Sequence, residues 1–203
     1  MIKPTESYYS MTAPQSIPKT YTFDEYVALE QAEGIRYEYW DGEVIATDGA
    51  TKRHNILVQS LSRLLYPYAR KKGCQVFAEN VRQKLKTGER YVYPGIIYTC
   101  DPADLENDMG VWVNSPSLLI EVGSNATQSN DFHEKRPHYT KIPSLLYYLL
   151  VSQTEYRIEV FERNVDFWKY RITEGVEAIV DLPLLGMNLP LADVYEGIVT
   201  VEE

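Results

Sequence analysis

Residues 117–122 form a short apolar run that contains one charged residue, Glu121. Such a run, followed directly by Gly123, predicts a buried strand. It constrains the fold strongly, because a carboxylate taken out of water must be paired, hydrogen-bonded or bound to a cation. Glu121 is therefore the first candidate for chemistry. The alternative is a glutamate at the end of a strand that points to solvent.

Length and composition predict one well-cored domain. The chain has 203 residues, of which 44% are hydrophobic, and this is long enough for a single core. We expect residues 1–19, which are polar and hold three prolines, to form a flexible N-terminal arm, and residues 20–203 to form a single domain. No run of 18 apolar residues and no signal-peptide core is present, so we expect a soluble, cytoplasmic protein with no membrane contact.

The cysteines and histidines show no metal-binding pattern. Cys74 and Cys100 are the two cysteines, and the three histidines are His54, His133 and His138. Their spacing matches no zinc site. We therefore expect neither zinc nor a structural disulfide.

The net charge of −9 hides a basic block at residues 51–90. This block has ten Lys or Arg residues against two acids, Glu79 and Glu89, whereas the remainder of the chain has ten against 27. Such a block is typical of a surface that meets a polyanion, or of one that docks on an acidic surface. A solvated helix face joined to a charged hairpin would produce the same count.

Local signals predict a mixed α/β or α+β domain. Thr22 and Glu25 form a capping box for a helix that ends near Gly34, and Asp41-Gly42 predicts a hairpin. A long helix is expected over 51–72. The remaining predictions are strands over 75–78, 81–85, 91–99, 118–122, 145–151, 157–161 and 167–171, a polar loop over 101–115, and a helix from Asp131 to about Lys141. This order indicates a central mixed β-sheet flanked by helices.

Several residues have the chemistry that metal-dependent phosphodiester hydrolysis needs. Hard oxygen ligands must hold Mg²⁺ against a phosphate, and a positive group must lie near the attacking water. Glu38, Glu121 and Asp131 are candidate ligands, and Lys135 is the candidate positive group. Each also has an ordinary explanation: a surface glutamate, a helix cap, or a surface ion pair between Asp131 and Lys135.

Segments along most of the chain resemble the Uma2 family, restriction-endonuclease-like proteins that are also catalogued as DUF820 and are abundant in cyanobacteria. The likeness extends over about residues 20–195. Its order and spacing make the match specific, although no single piece is decisive. The segments are Arg36-Tyr37-Glu38-Tyr39-Trp40-Asp41-Gly42-Glu43, Lys52-Arg53-His54, Tyr93-Pro94, Leu119-Ile120-Glu121-Val122, residues 131–135 and residues 142–151.

The resemblance implies the restriction-endonuclease-like fold of PD-(D/E)xK nucleases, with Mg²⁺ or Mn²⁺ at the edge of the sheet. It assigns Glu121 and Glu38 as metal ligands and catalytic residues, Lys135 as a further catalytic residue, and Asp131 and His54 as supporting residues. It also implies DNA as the partner. Nucleases of this fold are often homodimers because they must cut two strands, so we expect a homodimer.

One departure from the family pattern bears on activity. Gly95 follows Tyr93-Pro94 where the family has an aspartate that would be a principal metal ligand. Loss of a charged oxygen ligand weakens Mg²⁺ binding and leaves the catalytic water poorly placed.

Three functions therefore stay open. The first is a metal-dependent DNA endonuclease, the second a catalytically silent nuclease-fold protein that binds nucleic acid or a protein partner, and the third a structural dimerisation domain. In the first two, residues of the basic block would contact the nucleic-acid backbone. The predicted contacts are Lys52, Arg53, Arg82, Lys84 and Lys86.

Overall fold

The computed structural model describes residues 19–47, 50–123 and 134–198. The helices are α1 (Phe23–Glu33), α2 (Lys52–Lys72), α3 (Pro102–Glu106), α4 (Arg136–Tyr139) and α5 (Leu191–Val194). The strands are β1 (Tyr37–Trp40), β2 (Glu43–Ala46), β3 (Gln75–Ala78), β4 (Arg82–Lys84), β5 (Arg90–Val92), β6 (Ile96–Thr99), β7 (Trp112–Val113), β8 (Pro116–Gly123), β9 (Tyr147–Ser152), β10 (Arg157–Arg163), β11 (Trp168–Glu174), β12 (Ile179–Leu182) and β13 (Met187–Pro190).

Helix α1 begins and ends where its sequence signals place it. The Thr22 hydroxyl accepts a hydrogen bond from the Glu25 backbone N–H at 3.2 Å, and the Glu25 carboxylate accepts one from the Thr22 N–H at 2.9 Å. This pair completes the predicted capping box. Gly34, with φ of 67°, ends the helix in the left-handed conformation that glycine adopts without a steric penalty.

A six-stranded mixed sheet forms the centre of the fold, in the order β11-β10-β9-β8-β6-β3. Strands β8 and β9 are parallel, and the other neighbours are antiparallel. One face packs against α2, α5 and the β12–β13 hairpin through a large apolar cluster that includes Leu61, Ile120 and Leu149. The prediction of a mixed sheet flanked by helices is confirmed.

A second, five-stranded sheet has the order β2-β1-β5-β4-β7. Tyr39 and Tyr91 pack beneath Tyr26 of α1 on one face. Another apolar cluster joins Leu85 and Val92 of this sheet region to Leu119 and Tyr148 of the central sheet. Strand β1 is therefore held close to the central sheet, and this proximity positions the candidate site.

Two predicted segments differ from the structure. The strand expected over 91–99 is divided into β5 and β6, which belong to different sheets, and the break at 93–95 contains Pro94, which has no N–H for a strand ladder. The loop expected over 101–115 contains α3 and β7. Asp101 caps α3 by accepting from the Ala103 N–H at 3.0 Å, so a local cap overrides the polar composition.

The prediction that the chain has no structural disulfide is wrong. Cys74 and Cys100 are bonded, with their Cα atoms 4.3 Å apart. The reason lies in the sheet register: β3 and β6 are antiparallel neighbours, and Gln75 is opposite Thr99. Cys74 directly precedes β3 and Cys100 directly follows β6. The strand pairing therefore brings together two cysteines that are 26 positions apart.

Some predictions fall outside the described residues. They include the arm at residues 1–19, apart from Lys19, and the helix start at Asp131. The part of this segment that the structure describes begins with a π-helical turn at residues 134–135, and α4 follows. Pro137 lies in the first turn of α4, where proline is tolerated. None of the helices in residues 19–47, 50–123 and 134–198 is long and apolar enough to cross a membrane.

Candidate active site

Glu121 is buried near the end of β8 and has partners. Glu121 is only 5% exposed. The Tyr139 hydroxyl donates to its Oε1 at 2.7 Å, and the Lys135 Nζ lies 3.2 Å from the same oxygen. Burial beside donors excludes the alternative of a strand-end glutamate in solvent.

Glu38 reaches the same place from the second sheet. It lies on β1, opposite Ile45 of the hairpin, and its side chain is 13% exposed. The Lys135 Nζ is 2.7 Å from Glu38 Oε1, and the Trp40 indole N–H donates to Oε2 at 3.3 Å. Two carboxylates from different sheets therefore converge on one ammonium group.

We call this group the cleft cluster: Glu38, Glu121, Lys135 and Tyr139. The two carboxylates both contact the Lys135 ammonium. Burial, followed by the nearby Glu121 charge, raises the pKa of Tyr139 well above 10.0. Its hydroxyl therefore stays protonated and donates to Glu121 across the neutral pH range.

The cleft cluster opens into a cleft of about 980 Å³ between the two sheets. The floor includes Glu121 and Val122 of the central sheet, and the β1–β2 hairpin forms one wall. Further lining residues come from the start of α2 and from the segments around β3 and β6: Thr51, His54, Glu79, Asn80, Tyr93, Pro94 and Gly95.

Gly95 lies in this cleft next to β8. A Cβ atom added there would be 3.2 Å from the Ile120 carbonyl oxygen and 3.7 Å from both the backbone nitrogen and Cγ2 of Val122. The missing side chain would therefore be directed at the β8 backbone on either side of Glu121. The predicted loss of an acid at position 95 removes a group from the cleft itself.

His54 lines the cleft and contacts Glu79, a residue that sequence reasoning did not select. The two ring nitrogens of His54 lie 2.9 Å from the Val122 carbonyl oxygen and 2.8 Å from Glu79 Oε1. Glu79 was visible only as one of two acids inside the basic block, and its position opposite Gly95 depends on strand pairing. Asp131, the other predicted supporting residue, lies outside the described residues.

The predicted nucleic-acid contacts do not share one location. Lys52 and Arg53 adjoin the cleft-lining residues Thr51 and His54, and the Arg53 guanidinium donates to the Gln153 carbonyl at 3.0 Å. Lys86 is exposed between β4 and β5. Lys84 lies over the rings of Tyr91 and Trp112, at 5.5 and 5.8 Å, on the α1 side of the second sheet.

Arg82 is not at the surface. It is 7% exposed, and its guanidinium pairs with Glu30 of α1 and donates to the Tyr26 hydroxyl at 2.8 Å. The predicted contact between Arg82 and nucleic acid is therefore inconsistent with the structure. The alternating pattern of residues 81–85 indicated an exposed basic face, but α1 covers that face with a carboxylate.

The donor set of the cleft fits a divalent cation that keeps several of its waters. Mg²⁺ is commonly bound by one or two carboxylates together with substrate phosphate, and Glu38 and Glu121 supply two hard oxygen donors. Within the part of the chain that the structure describes, no group of three or more His, Cys, Asp or Glu side chains is close enough to hold a metal by itself.

Comparison with known structures places the chain in the restriction-endonuclease-like fold class. A crystal structure from Anabaena variabilis ATCC 29413, titled as a "putative nuclease belonging to DUF820", superimposes with a TM-score of 0.66. The match covers 86% of this chain and 97% of that chain at 15% sequence identity, so it supports the fold alone.

The chain belongs to the Uma2 family. The family, described as "Putative restriction endonuclease", matches residues 23–192. Two Synechocystis proteins are similar over most of their length. One, "Uncharacterized protein slr1290", is 27% identical over 86% of this chain and 91% of its own. The other, "Uncharacterized protein sll1609", is 31% identical over 73% of this chain and 84% of its own.

Proposed function

We propose that this chain is a metal-dependent endonuclease that hydrolyses phosphodiester bonds in DNA. The observation that carries the proposal is the convergence of Glu38 and Glu121, from two different sheets, on the buried ammonium of Lys135 at the floor of an open cleft. Two hard oxygen donors and one ammonium at the floor of an open cleft are the groups that a divalent cation and a phosphate would need.

Glu38 and Glu121 would hold Mg²⁺ or Mn²⁺. When bound, the ion would polarise the phosphate and lower the pKa of a coordinated water. Tyr139 fixes the Glu121 carboxylate through its 2.7 Å hydrogen bond, and the Trp40 indole N–H orients Glu38. Both carboxylates are therefore held in place before substrate arrives, which is the preorganisation that catalysis requires.

Lys135 would act on the substrate. Its ammonium already lies within 3.2 Å of both carboxylates, so it compensates part of their charge before the cation binds. Once the cation shares that role, the ammonium can donate a hydrogen bond to a phosphate oxygen. Lys52 and Arg53, next to the cleft at the start of α2, would contact the backbone of bound DNA without reading its sequence.

A plasmid-nicking assay with Mg²⁺ or Mn²⁺ tests the proposal. The wild-type chain should convert supercoiled plasmid to the nicked form, and EDTA should abolish the reaction. Glu121→Ala and Glu38→Ala should each reduce nicking by roughly 10²-fold or more, the scale for loss of one preorganised charge-stabilising group. Glu89→Ala, which changes an exposed glutamate outside the cleft, should nick like wild type. Activity in Glu121→Ala equal to wild type would sink the proposal.

The second candidate is a catalytically silent protein that binds nucleic acid or a protein partner. Gly95 favours it, because the cleft lacks the side chain that the family pattern places there. In that case wild type would not nick under either metal. The logarithm of the DNA affinity would fall linearly with the logarithm of the salt concentration. Loss of Lys52 and Arg53 would make this dependence less steep. Absence of DNA binding at low salt would leave only a protein partner.

A further inference from the structure

We propose that Arg36 binds a backbone phosphate of the nucleic acid that enters the cleft, beside the phosphate that the proposed metal site holds. The inference rests on the proposed function and identifies a substrate-binding residue of the same site. It concerns binding alone, so it is testable without a divalent metal and without cleavage.

Strand geometry places Arg36 on the cleft side of the second sheet. Side chains two residues apart on a strand lie on the same face. Arg36, Glu38 and Trp40 are spaced in this way, and all three line the cleft. The two tyrosines between them pack on the opposite face with α1. Arg36 lies one residue before β1, but the hairpin pairing extends to it, because the Thr47 N–H donates to the Arg36 carbonyl at 2.9 Å.

The position of Arg36 along the strand indicates which phosphate it would contact. Arg36 and Glu38 are two residues apart, which corresponds to about 6.6 Å along a strand. Glu38 contacts the Lys135 ammonium at the floor of the cleft, where the proposed metal site would hold the scissile phosphate. A nucleic-acid strand carries a phosphate at every nucleotide. Arg36 would therefore contact a neighbouring phosphate of the same strand.

Arg36 is the more accessible of the two cations in the cleft lining. Among the described residues that line the cleft, only Arg36 and Lys135 are Lys or Arg. Lys135 is 9% exposed and contacts both Glu38 and Glu121, whereas the Arg36 side chain is 47% exposed. An incoming polyanion would therefore reach the Arg36 charge first. Counting charges along the chain did not select Arg36, because it lies outside the basic block at residues 51–90.

The Arg36 guanidinium is held from one side and keeps donors for a ligand. Its Nε donates to Asn80 Oδ1 at 3.4 Å, and its central carbon lies 5.9 Å from the centre of the Tyr93 ring. Its Nη1 is 4.0 Å from Glu30, which pairs more closely with Arg82. Its Nη2 donates to no group in the part of the chain that the structure describes. A planar guanidinium oriented in this way can present its remaining N–H groups to the oxygens of a phosphate.

Fluorescence anisotropy of a labelled DNA duplex, titrated in EDTA at several salt concentrations, tests the proposal. The measured quantity is the slope of the logarithm of affinity against the logarithm of salt concentration. Arg36→Gln should make this slope less steep by roughly 0.9, the value for one phosphate contact. The change should be the same for two duplexes of unrelated sequence, because phosphate contacts do not read the bases.

Two further variants separate a phosphate contact from a structural role. Arg36→Lys also loses the hydrogen bond from Nε to Asn80 but keeps the positive charge, so its slope should equal that of wild type. A purely structural role would make both Arg36 variants behave alike. Arg63→Gln is the matched control, because Arg63 is a 59% exposed arginine of α2 that does not line the cleft. It should bind like wild type.

Melting of each variant checks folding. If Arg36→Gln does not fold, Arg36→Met, which keeps the aliphatic length of the side chain beside Tyr93, provides the same measurement.

The outcomes separate this inference from the proposed function. If wild type binds DNA and loss of the charge at Arg36 leaves the slope unchanged, the inference is overturned, and the nicking assay still decides the proposed function. If the slope depends on Arg36 but wild type nicks under neither metal, the inference stands and the endonuclease proposal falls. If wild type binds no DNA at low salt, both fall together.

Discussion

Two groups of buried charges in this molecule differ in whether their carboxylates reach the cleft. The Glu30 cluster comprises Glu30, Arg82, Tyr26 and Tyr93, and joins α1 to the second sheet. The side chains of Glu30 and Arg82 are 1% and 8% exposed. The Glu30 carboxylate pairs with the buried Arg82 guanidinium and lies 4.0 Å from the exposed Arg36 guanidinium. It also accepts from the Tyr93 hydroxyl at 2.9 Å and from the Tyr37 N–H at 2.9 Å.

The cleft cluster is buried to a similar extent. Its charged side chains are 7 to 13% exposed, and two carboxylates share one ammonium. Glu38 and Glu121 line the cleft, whereas the Glu30 carboxylate does not and is 1% exposed. The comparison teaches that burial alone does not distinguish the two clusters. Access of the carboxylates to the cleft does.

The largest expected effect is in the Glu30 cluster. Arg82→Met leaves the Glu30 carboxylate buried without its main counter-charge, so the free energy of unfolding should fall by about 3–5 kcal/mol. Urea denaturation measures this loss of unfolding free energy. Lys84→Met, on the same strand but only partly buried, should change stability by less than about 1 kcal/mol. The double variant Glu30→Leu/Arg82→Met should lose less than Arg82→Met alone. If the double variant were as unstable as Arg82→Met, the instability of Arg82→Met would not come from an unpaired Glu30 charge.

The Tyr93 hydroxyl should make a smaller, pH-dependent contribution to the free energy of unfolding. Tyr93→Phe removes a hydrogen bond to a buried carboxylate, which is worth about 1.5–3 kcal/mol at neutral pH. Burial, followed by the neighbouring Tyr26, raises the pKa of Tyr93 above its usual value of 10.0. A raised pKa means that the stabilisation is complete below pH 10 and is lost as the pH rises above it.

The gap in unfolding free energy between wild type and Tyr93→Phe should therefore narrow above pH 10, by about 1.4 kcal/mol per pH unit. Urea denaturation at pH 8, 10 and 11 measures the gap. A constant gap across this range would mean that Tyr93 ionises in the folded protein as readily as in the unfolded chain.

The sequence predicted the residues of the cleft cluster better than those of the Glu30 cluster, for a physical reason. Glu121 stood out because a charge in an apolar run needs a partner. Glu38 and Lys135 were candidates by their chemical type, and only the family resemblance placed them in one site, since nothing in their own spacing required them to meet. Arg82 was misplaced, because its partner Glu30 lies 52 residues away on a helix whose packing no local pattern reveals.

Strand pairing explains the other failures. The Cys74–Cys100 bond and the position of Glu79 beside Gly95 both follow from the antiparallel register of β3 and β6. The sequence predicted both strands but not that they are neighbours. Local signals such as the Thr22 capping box and the Gly34 cap were read correctly, because all of their partners lie within a few residues.

The smallest expected effect on stability is in the cleft cluster. Glu121→Gln removes one carboxylate charge and keeps the side-chain shape. The amide oxygen can still accept from Tyr139, and the Lys135–Glu38 pair at 2.7 Å stays intact. The free energy of unfolding should therefore change by less than about 1 kcal/mol, because the lost attraction to Lys135 is offset by relief of the repulsion from Glu38. Nicking and Mn²⁺ binding should nevertheless be lost, since both need the carboxylate.

Glu30→Gln is the matched control, and it should lose far more stability because Arg82 is left without a counter-charge. If Glu121→Gln unfolded as easily as Glu30→Gln, the cleft cluster would be a structural ion pair like the Glu30 cluster, and its two carboxylates would carry no argument for function.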